Sequence, residues 1–303
     1  MPHSNAPIRL LVPYVKDGGS DQRARLIARH LGRKLGRTID VVNRPGAVSG
    51  HQAIADASAD GTVLGLITGE IGMMHWHLGL TSLTPSDYTP LAVPFVESSA
   101  VIVPAGSPFH DLRAFLEHCR RHPIIGSGGP NFSVWKFSLA GLMHVNGIPL
   151  EHLQWIETHS GEQGLEHALA GRAHVAPITM TDARGPLQAG SARALATMED
   201  QRHRSFPDVP TVQEAAGVPW SVAHWRGIVA PRGLPGTITR EYVEALGAVA
   251  DDPDFQAEAR ASFFTTRWRL GDEFAQYMQE DDKQFGDVIK ALGLSAAGQT
   301  SLH

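Results

Sequence analysis

At 303 residues, with 42% hydrophobic and 19% charged side chains, the chain can bury a full core and has the length of two domains or one large one. A net charge of −5 argues against the basic footprint of a nucleic-acid binder, and no apolar run is long enough to span a bilayer. The single cysteine, Cys119, excludes an internal disulfide and says little about the redox compartment.

The first informative stretch is IRLLVPYVKDGGSD, residues 8–21. Residues 8–12 read as an apolar strand that Pro13 ends. Gly18 and Gly19 turn the chain, and Ser20 and Asp21 stand where an N-cap belongs, ahead of an amphipathic helix to residue 35. A buried strand feeding a Gly turn and a helix start is an anion-binding geometry, because free backbone N–H groups and the positive end of the helix dipole converge there. Residues 38–42 form the next strand, and Ser49 is expected to cap a short helix to residue 57. Asp60-Gly61 turns into a strand over 63–67. A short helix is expected over 73–76. His75 and His77 resemble a metal pair, but alternate residues do not share a helix face and no third ligand is near in sequence.

Strands follow at 91–95 and 100–103. Asp111 caps a helix to about residue 121 that carries Cys119 as an inert small hydrophobe. Residues 123–126 then form a strand that ends in Gly126-Ser127-Gly128-Gly129-Pro130-Asn131, with an apolar helix from about 133 to 145. This is a second strand, Gly turn and helix. Further on, strands are expected at 153–156, 175–178, 193–197 and 222–230. Helices are expected at 162–170, from an Asp182 cap to 188, after the rigid loop 206–211, and at 237–250, 253–261 and 271–292. Alternation of this kind means α/β with parallel sheets, whose ligands bind at the carboxyl edge of the strands.

At this point the residues resemble a known family. Val12-Pro13-Tyr14, the Gly turn, Asp21 and Ala24-Arg25-Leu26 carry the likeness first. Asn43-Arg44-Pro45-Gly46-Ala47, Asp60-Gly61, Gly126-Ser127 and Leu139-Ala140-Gly141 continue it. The run Gly190-Ser191-Ala192-Arg193-Ala194-Leu195-Ala196, then Phe206-Pro207-Asp208-Val209-Pro210-Thr211 with Glu214-Ala215, and Ala230-Pro231 complete it. In this order and spacing they look like the Bug, or TctC-type, periplasmic solute-binding proteins of tripartite tricarboxylate transporters, over nearly the whole chain.

The resemblance implies a two-lobed periplasmic binding protein-like (type II) fold, with a mainly parallel sheet flanked by helices in each lobe. Residues 7–103 and 226–303 would form the first lobe, and 104–225 the second. It implies capture of a small carboxylate, a di- or tricarboxylate or an aromatic acid, by hinge closure. The ligand would pass to membrane permease subunits. No cofactor, metal, catalytic residue or nucleic acid is implied, and the chain would act as a monomer in the periplasm. The opening MPHSNAP is not a secretory signal, so a leader would have been removed or the protein would act in the cytosol.

Two departures touch the expected site. Lys16 stands where the family has a small apolar residue, and Asp17 where it has Gly. The second Gly loop is about three residues longer than usual by the placement of helix signals and carries Phe132, Trp135 and Lys136.

The candidate ligand-binding residues are Tyr14, Lys16, Gly18, Ser20, Thr68, Ser127, Gly128, Gly129, Asn131, His159 and Asp182. Tyr14 floors the pocket or packs between strands. Lys16 pairs a ligand carboxylate or Asp17. Ser127, Gly128 and Gly129 offer backbone N–H groups to an anion or form an ordinary tight turn. Trp135 and Phe132 stack on an aromatic ligand or join the core. Thr68, Asn131, His159 and Asp182 lie in loops where polar contacts are expected, and Asp21 orients its loop. An enzyme using the Gly turns as an anion site is the weaker alternative. Neither loop is GxGxxG or GxxxxGK[ST], and no GxSxG or HExxH is present. A cytosolic carboxylate sensor on the same fold is a third reading.

Overall fold

The computed structural model describes residues 7–70 and 75–295. In chain order the elements begin with β1 (Ile8–Val12), α1 (Gly19–Leu35), β2 (Ile39–Asn43), α2 (Ala47–Ala55), β3 (Val63–Thr68) and α3 (His75–His77). Next come β4 (Tyr88–Ser98), β5 (Ala100–Pro104), α4 (Leu112–Arg121), β6 (Ile124–Ser127), α5 (Val134–Val145), β7 (Leu153–Ile156), α6 (Gly161–Leu169) and α7 (Arg184–Gln188). The chain closes with β8 (Ala192–Thr197), α8 (Val212–Ala216), β9 (Ala223–Pro231), α9 (Gly236–Ala250), α10 (Pro253–Ala261), β10 (Thr266–Leu270) and α11 (Gly271–Ala291).

The chain is α/β and divides into two compact units. One takes the described residues of Met1–Val96 and Trp225–His303, the other Glu97–His224. The first change of unit precedes the boundary at Val103 that the resemblance implies, because β5 pairs antiparallel with β8, inside the second unit.

The first unit is built on a six-stranded sheet in the order β10-β4-β9-β3-β1-β2. It is mixed rather than mainly parallel. β1 lies parallel to β2 and β3, whereas β9 runs antiparallel to β3 and β10 antiparallel to β4. Every residue of β3 is buried, as an interior strand covered on both faces requires. The core joins Ile8, Leu10 and Val12 of β1 to Ile27 and Leu31 of α1, Leu246 of α9 and Phe255 of α10. Burial of each such side chain contributes about 1.5–3 kcal/mol.

The second unit holds two two-stranded sheets, β5-β8 and parallel β6-β7. The expected strand at 175–178 is reduced to single bridges, Ala176 with Ile102 on one side and Val175 with Gly126 on the other. These bridges join the two small sheets through one extended segment.

Three N-caps differ from expectation. α1 begins at Gly19 with Gly18 as its N-cap, so Ser20 and Asp21 lie inside the first turn. α2 is capped at Gly46, not Ser49, whose hydroxyl donates back to the Gly46 carbonyl at 3.2 Å. α7 is capped at Ala183, not Asp182. Asp111, Ser133 and Ser160 cap α4, α5 and α6 through their side chains. Cys119 is fully buried, and burial pushes its thiol pKa up to about 12, which keeps it unreactive at neutral pH.

Candidate functional site

In the first unit the carboxyl ends of β1 and β3 and the start of α1 meet. The Gln22 N–H closes on the Gly18 carbonyl at 3.0 Å. The N–H groups of Gly19, Ser20 and Asp21 are therefore the first-turn donors that an α-helix leaves without an intrahelical acceptor. The loop before them is held by a small polar network. Asp17 sits in the left-handed region, with φ 66°, at the position where the resemblance leads one to expect Gly. Its N–H donates to Asp21 Oδ2 at 2.9 Å, which ties the loop to the first turn of α1.

Asp21 is fully buried. Arg25 donates to both of its carboxylate oxygens, at 2.8 and 3.0 Å, and Asn43 Nδ2 donates to Oδ1 at 2.8 Å. Burial alone would raise the Asp21 pKa. The bonds from Arg25, Asn43 and the Asp17 N–H outweigh it and hold the carboxyl below the usual range. Asn43 Nδ2 also donates to the Tyr14 carbonyl at 3.1 Å, so one side chain ties the end of β2 to both sides of the turn. Asp21 thus orients the loop from behind. Asn43→Ala is expected to cost about 1–3 kcal/mol, because it strips a donor from a buried carboxylate and from a carbonyl. Chemical denaturation of the variant checks this, and a loss of less than about 0.3 kcal/mol would contradict it.

The Tyr14 hydroxyl lies 2.8 Å from Thr68 Oγ1 and 3.4 Å from Glu70 Oε2. Burial, helped by the Glu70 carboxylate, pushes the phenol pKa far up, so Tyr14 is a neutral hydrogen-bonding group at any physiological pH. Thr68 pairs in register with Arg226 of β9. Arg226 is 4% exposed, and its Nε donates to Ser20 Oγ at 3.1 Å. A second buried cation, Arg23, donates Nη1 to the Gly19 carbonyl at 3.0 Å and lies over the Phe264 ring at 4.1 Å. Of the expected residues in this unit, Tyr14, Gly18, Ser20 and Thr68 come together here. Lys16 is exposed in the loop. Arg226 was not anticipated. The available signal is a charged residue inside the otherwise apolar run WRGIVAP, where a buried strand has no ordinary use for one.

In the second unit the turn after β6 is packed from within. The Ser127 N–H donates to the Val175 carbonyl at 3.1 Å and its hydroxyl to the Ile156 carbonyl at 3.0 Å. Gly129, at φ 125°, donates its N–H to Thr158 Oγ1 at 2.8 Å, while its carbonyl accepts from the Thr158 N–H and the Trp155 indole. Asn131 takes its place further along the loop. Its N–H donates to Glu157 Oε1 and its Oδ1 accepts from Lys136 Nζ, both at 2.8 Å. Burial lowers the Lys136 pKa, and Glu157 partly offsets that.

The start of α6 lies directly against this turn. A Cβ at Gly164 would sit 2.4 Å from the N and Cα atoms of Gly128. His159 is exposed just before α6, its N–H donating to Gln163 Oε1 at 2.9 Å. Asp182 is half-buried, with its N–H on Thr179 Oγ1 at 3.0 Å. Trp135 is buried and packs edge-on to His224, whereas Phe132 is 48% exposed. The ring of His77 and the Trp76 indole both engage Asp282, and residues 73–74 of the expected short helix lie outside the described residues. Among the described residues no group of three His, Cys, Asp or Glu is placed to hold a metal ion.

Each unit thus presents a glycine turn and a helix start at the carboxyl end of a strand, in the α/β fold of solute-binding proteins. The model of the tripartite tricarboxylate transporter family receptor, TctC, matches residues 23–294, and the chain belongs to that family. It is 30% identical to a UPF0065 protein in the tcbD-tcbE intergenic region of Pseudomonas sp. (strain P51), over 96% of this chain and 87% of that one. Two solved structures share the fold. The R. palustris protein Rpa4515 with adipate has a TM-score of 0.84 at 22% identity, covering 95% of this chain and 98% of its own. MatC from Rhodopseudomonas palustris, with bound malate, has a TM-score of 0.80 at 24% identity, covering 93% and 98%. Among the described residues no helix is long and apolar enough to cross a membrane.

Proposed function

We propose that this chain is an extracytoplasmic solute-binding protein, without catalysis, that captures a small carboxylate by hinge closure. It acts as a monomer in the periplasm and delivers the ligand to the permease subunits of a tripartite tricarboxylate-type transporter. The observation that carries the ligand class is the start of α1. Three first-turn N–H groups, the positive end of a 17-residue helix, the Ser20 and Thr68 hydroxyls and a buried guanidinium gather at one strand edge. Such a place favours a negative group and provides hydrogen bonds that fix its direction. The solved relatives with malate and adipate support the same class. Tyr14, Gly18, Ser20 and Thr68 are the contacts on the first unit, with Lys16 at the rim. On the second, Gly128 and the start of α6 are the leading contacts, with Ser127, Gly129, Asn131, His159 and Asp182 around them.

A thermal-shift screen tests this reading. The panel holds malate, succinate, adipate, citrate, glutamate and benzoate, each at millimolar concentration. A ligand at a hundred times its Kd stabilises the folded form by about 2.7 kcal/mol, which is expected to raise Tm by several degrees. Small-angle scattering on the best ligand is expected to show a smaller radius of gyration when it is bound. A flat response across the panel would reject the carboxylate reading, and a Tm rise with unchanged scattering would reject hinge closure.

A further inference from the structure

We propose that the open edge of β2 and the arginine-lined flank of α1 form a docking groove for an extended acidic segment of another protein, which adds to the sheet as a further strand. The proposal is independent of the carboxylate reading, and either can fail without the other. β2 ends the six-stranded sheet and pairs in parallel with β1, in unbroken register from Ile39 to Asn43. The Ile8 N–H donates to the Thr38 carbonyl at 2.9 Å, and the Arg44 N–H to the Val12 carbonyl at 2.7 Å. Backbone groups alternate sides along a parallel pair, so the N–H and carbonyl groups of Ile39 and Val41 point away from β1, to the open edge. Such an edge is a template for another strand. The opposite edge of the sheet is guarded. There β10, TRWRL, carries two arginines and breaks register with β4 between Thr266 and Arg269. β2, IDVVN, has one charged residue, Asp40, in register with Arg9 of β1. Ile39 faces α1, its Cγ1 3.7 Å from where a Cβ at Gly32 would lie, so Asp40 stands on the other face of the sheet.

The occupant follows from the charges beside this edge. A groove of about 790 Å³ runs between residues 38–41 and α1, and Arg25, Arg29, Arg33 and Arg37 line it at four-residue intervals. The outer two are anchored, Arg25 on Asp21 and Arg37 on Tyr242. The inner two are exposed. Arg29 meets Glu258 in a pair that is 58% and 44% exposed, which water and salt weaken. Arg33 Nη2 lies 2.7 Å from His30 Nδ1, an imidazole rather than a carboxylate. Four residues of helix rise about 6 Å, and two residues of strand about 6.6 Å. Acidic side chains at alternate positions of an added strand therefore meet successive arginines, Arg29 and Arg33 first. A second copy of this chain would set the same arginines against each other, so the charge pattern selects an acidic partner over self-pairing.

The test is fluorescence anisotropy on the full chain with three labelled heptapeptides as probes. One is Glu-Val-Glu-Val-Glu-Val-Glu, the second has Lys in place of each Glu, and the third is Glu-Pro-Glu-Pro-Glu-Pro-Glu. The third keeps the charge of the first but cannot pair as a strand. The Glu-Val peptide is expected to bind at least ~10-fold tighter than either of the others. Arg33→Glu is expected to weaken it by ~10-fold, and Val41→Pro by at least as much, because the N–H lost at residue 41 serves the open edge and not the bonds to β1. If Val41→Pro does not fold, hydrogen exchange on wild type decides. Bound Glu-Val peptide is expected to slow the Ile39 and Val41 amides by ~10-fold or more and to leave the Asp40 and Val42 amides, which face β1, unchanged. Absence of binding at about 1 mM peptide, equal binding of the Glu-Val and Glu-Pro peptides, or unslowed Ile39 and Val41 amides overturns the proposal. Assembly of the chain with itself, seen as dimers that Val41→Pro dissolves, overturns it too, because the edge would then serve a second copy.

Discussion

Asp281→Asn is expected to raise the melting temperature at pH 8 by roughly 3–6 °C and to leave it almost unchanged at pH 4. Asp281 lies on the buried side of α11, and its Oδ2 accepts from the Trp225 indole at 2.6 Å. A Cβ at Gly69 would lie 2.9 Å from that indole nitrogen and 3.1 Å from the carboxylate, so little room remains for water. Burial is the main cause that pushes the Asp281 pKa up, the neighbouring Asp282 carboxylate adds to it, and the Trp225 bond and Arg269 pull it back, leaving it at about 7. The sign follows from the two states. An unfolded Asp releases its proton near pH 3.9, and the folded one holds it to about 7. The proton held by the folded state is a stabilising contribution that is full below the lower value and gone once the pH has risen through the upper one. At pH 8 the buried charge therefore costs about 2–4 kcal/mol. Asparagine keeps an acceptor for Trp225 and carries no proton to lose. Thermal melts of both proteins from pH 4 to 8 measure the difference, and parallel Tm curves would refute the argument. With an unfolding entropy of about 2.1 cal/mol/K per residue, a chain of 303 residues shifts its Tm by about 1.6 °C per kcal/mol, and the expected rise follows.

Gly164→Ala is expected to abolish measurable ligand binding, by at least ~100-fold, and to cost about 2–3 kcal/mol of stability. The added methyl would lie 2.4 Å from Gly128 N and Cα and 2.7 Å from the Ser127 carbonyl carbon. All of these are backbone atoms, so no side chain can swing away. Either α6 moves off the turn or the turn deforms, and both displace Gly128, whose position the proposed site depends on. Gly185→Ala is the matched control, because nothing lies within 4 Å of its added carbon. Calorimetry and melting on the pair decide, and an affinity for Gly164→Ala equal to that of the control would show that the close approach is immaterial to binding.

The sequence was most legible where one local rule acted alone. Asp111 before an amphipathic decapeptide, Ser133 before an apolar helix and Gly171 after α6 each do what their chemistry suggests. It misled where a polar residue had two employers. Ser20 and Asp21 look like caps, yet Ser20 is held by Arg226 and Asp21 by Arg25 and Asn43, partners 206, 4 and 22 residues away in sequence. The strand β10 falls in the stretch between the helices expected at 253–261 and 271–292, to which no element is assigned from sequence. Its TRWRL alternates with charges, and its place depends on pairing with β4, which lies far earlier in the chain. The two glycine turns were visible as motifs, but the inward bonds of Ser127 and Gly129 were not, since their partners Ile156, at the end of β7, Thr158 and Val175 lie 29 or more residues further along the chain. Lys16 drew notice by its charge, which solvent screens, whereas Arg226 carries the same charge where burial magnifies it.

The strand order has a consequence for biosynthesis. β9 is flanked by β4 and β3, so the amino-terminal strands cannot form one continuous sheet until residues 223–231 have left the ribosome. Until then β3 has an open edge and β4 has neither of its sheet neighbours, since β10 is made later still, and both strands are able to pair with a stranger. The intervening stretch, 97–224, has its own strands and can collapse first, so the segment emitted second is expected to mature before the segment emitted first. The late arrival of β9 then makes the amino-terminal block the natural client of any chaperone that guards this protein before its fold is complete.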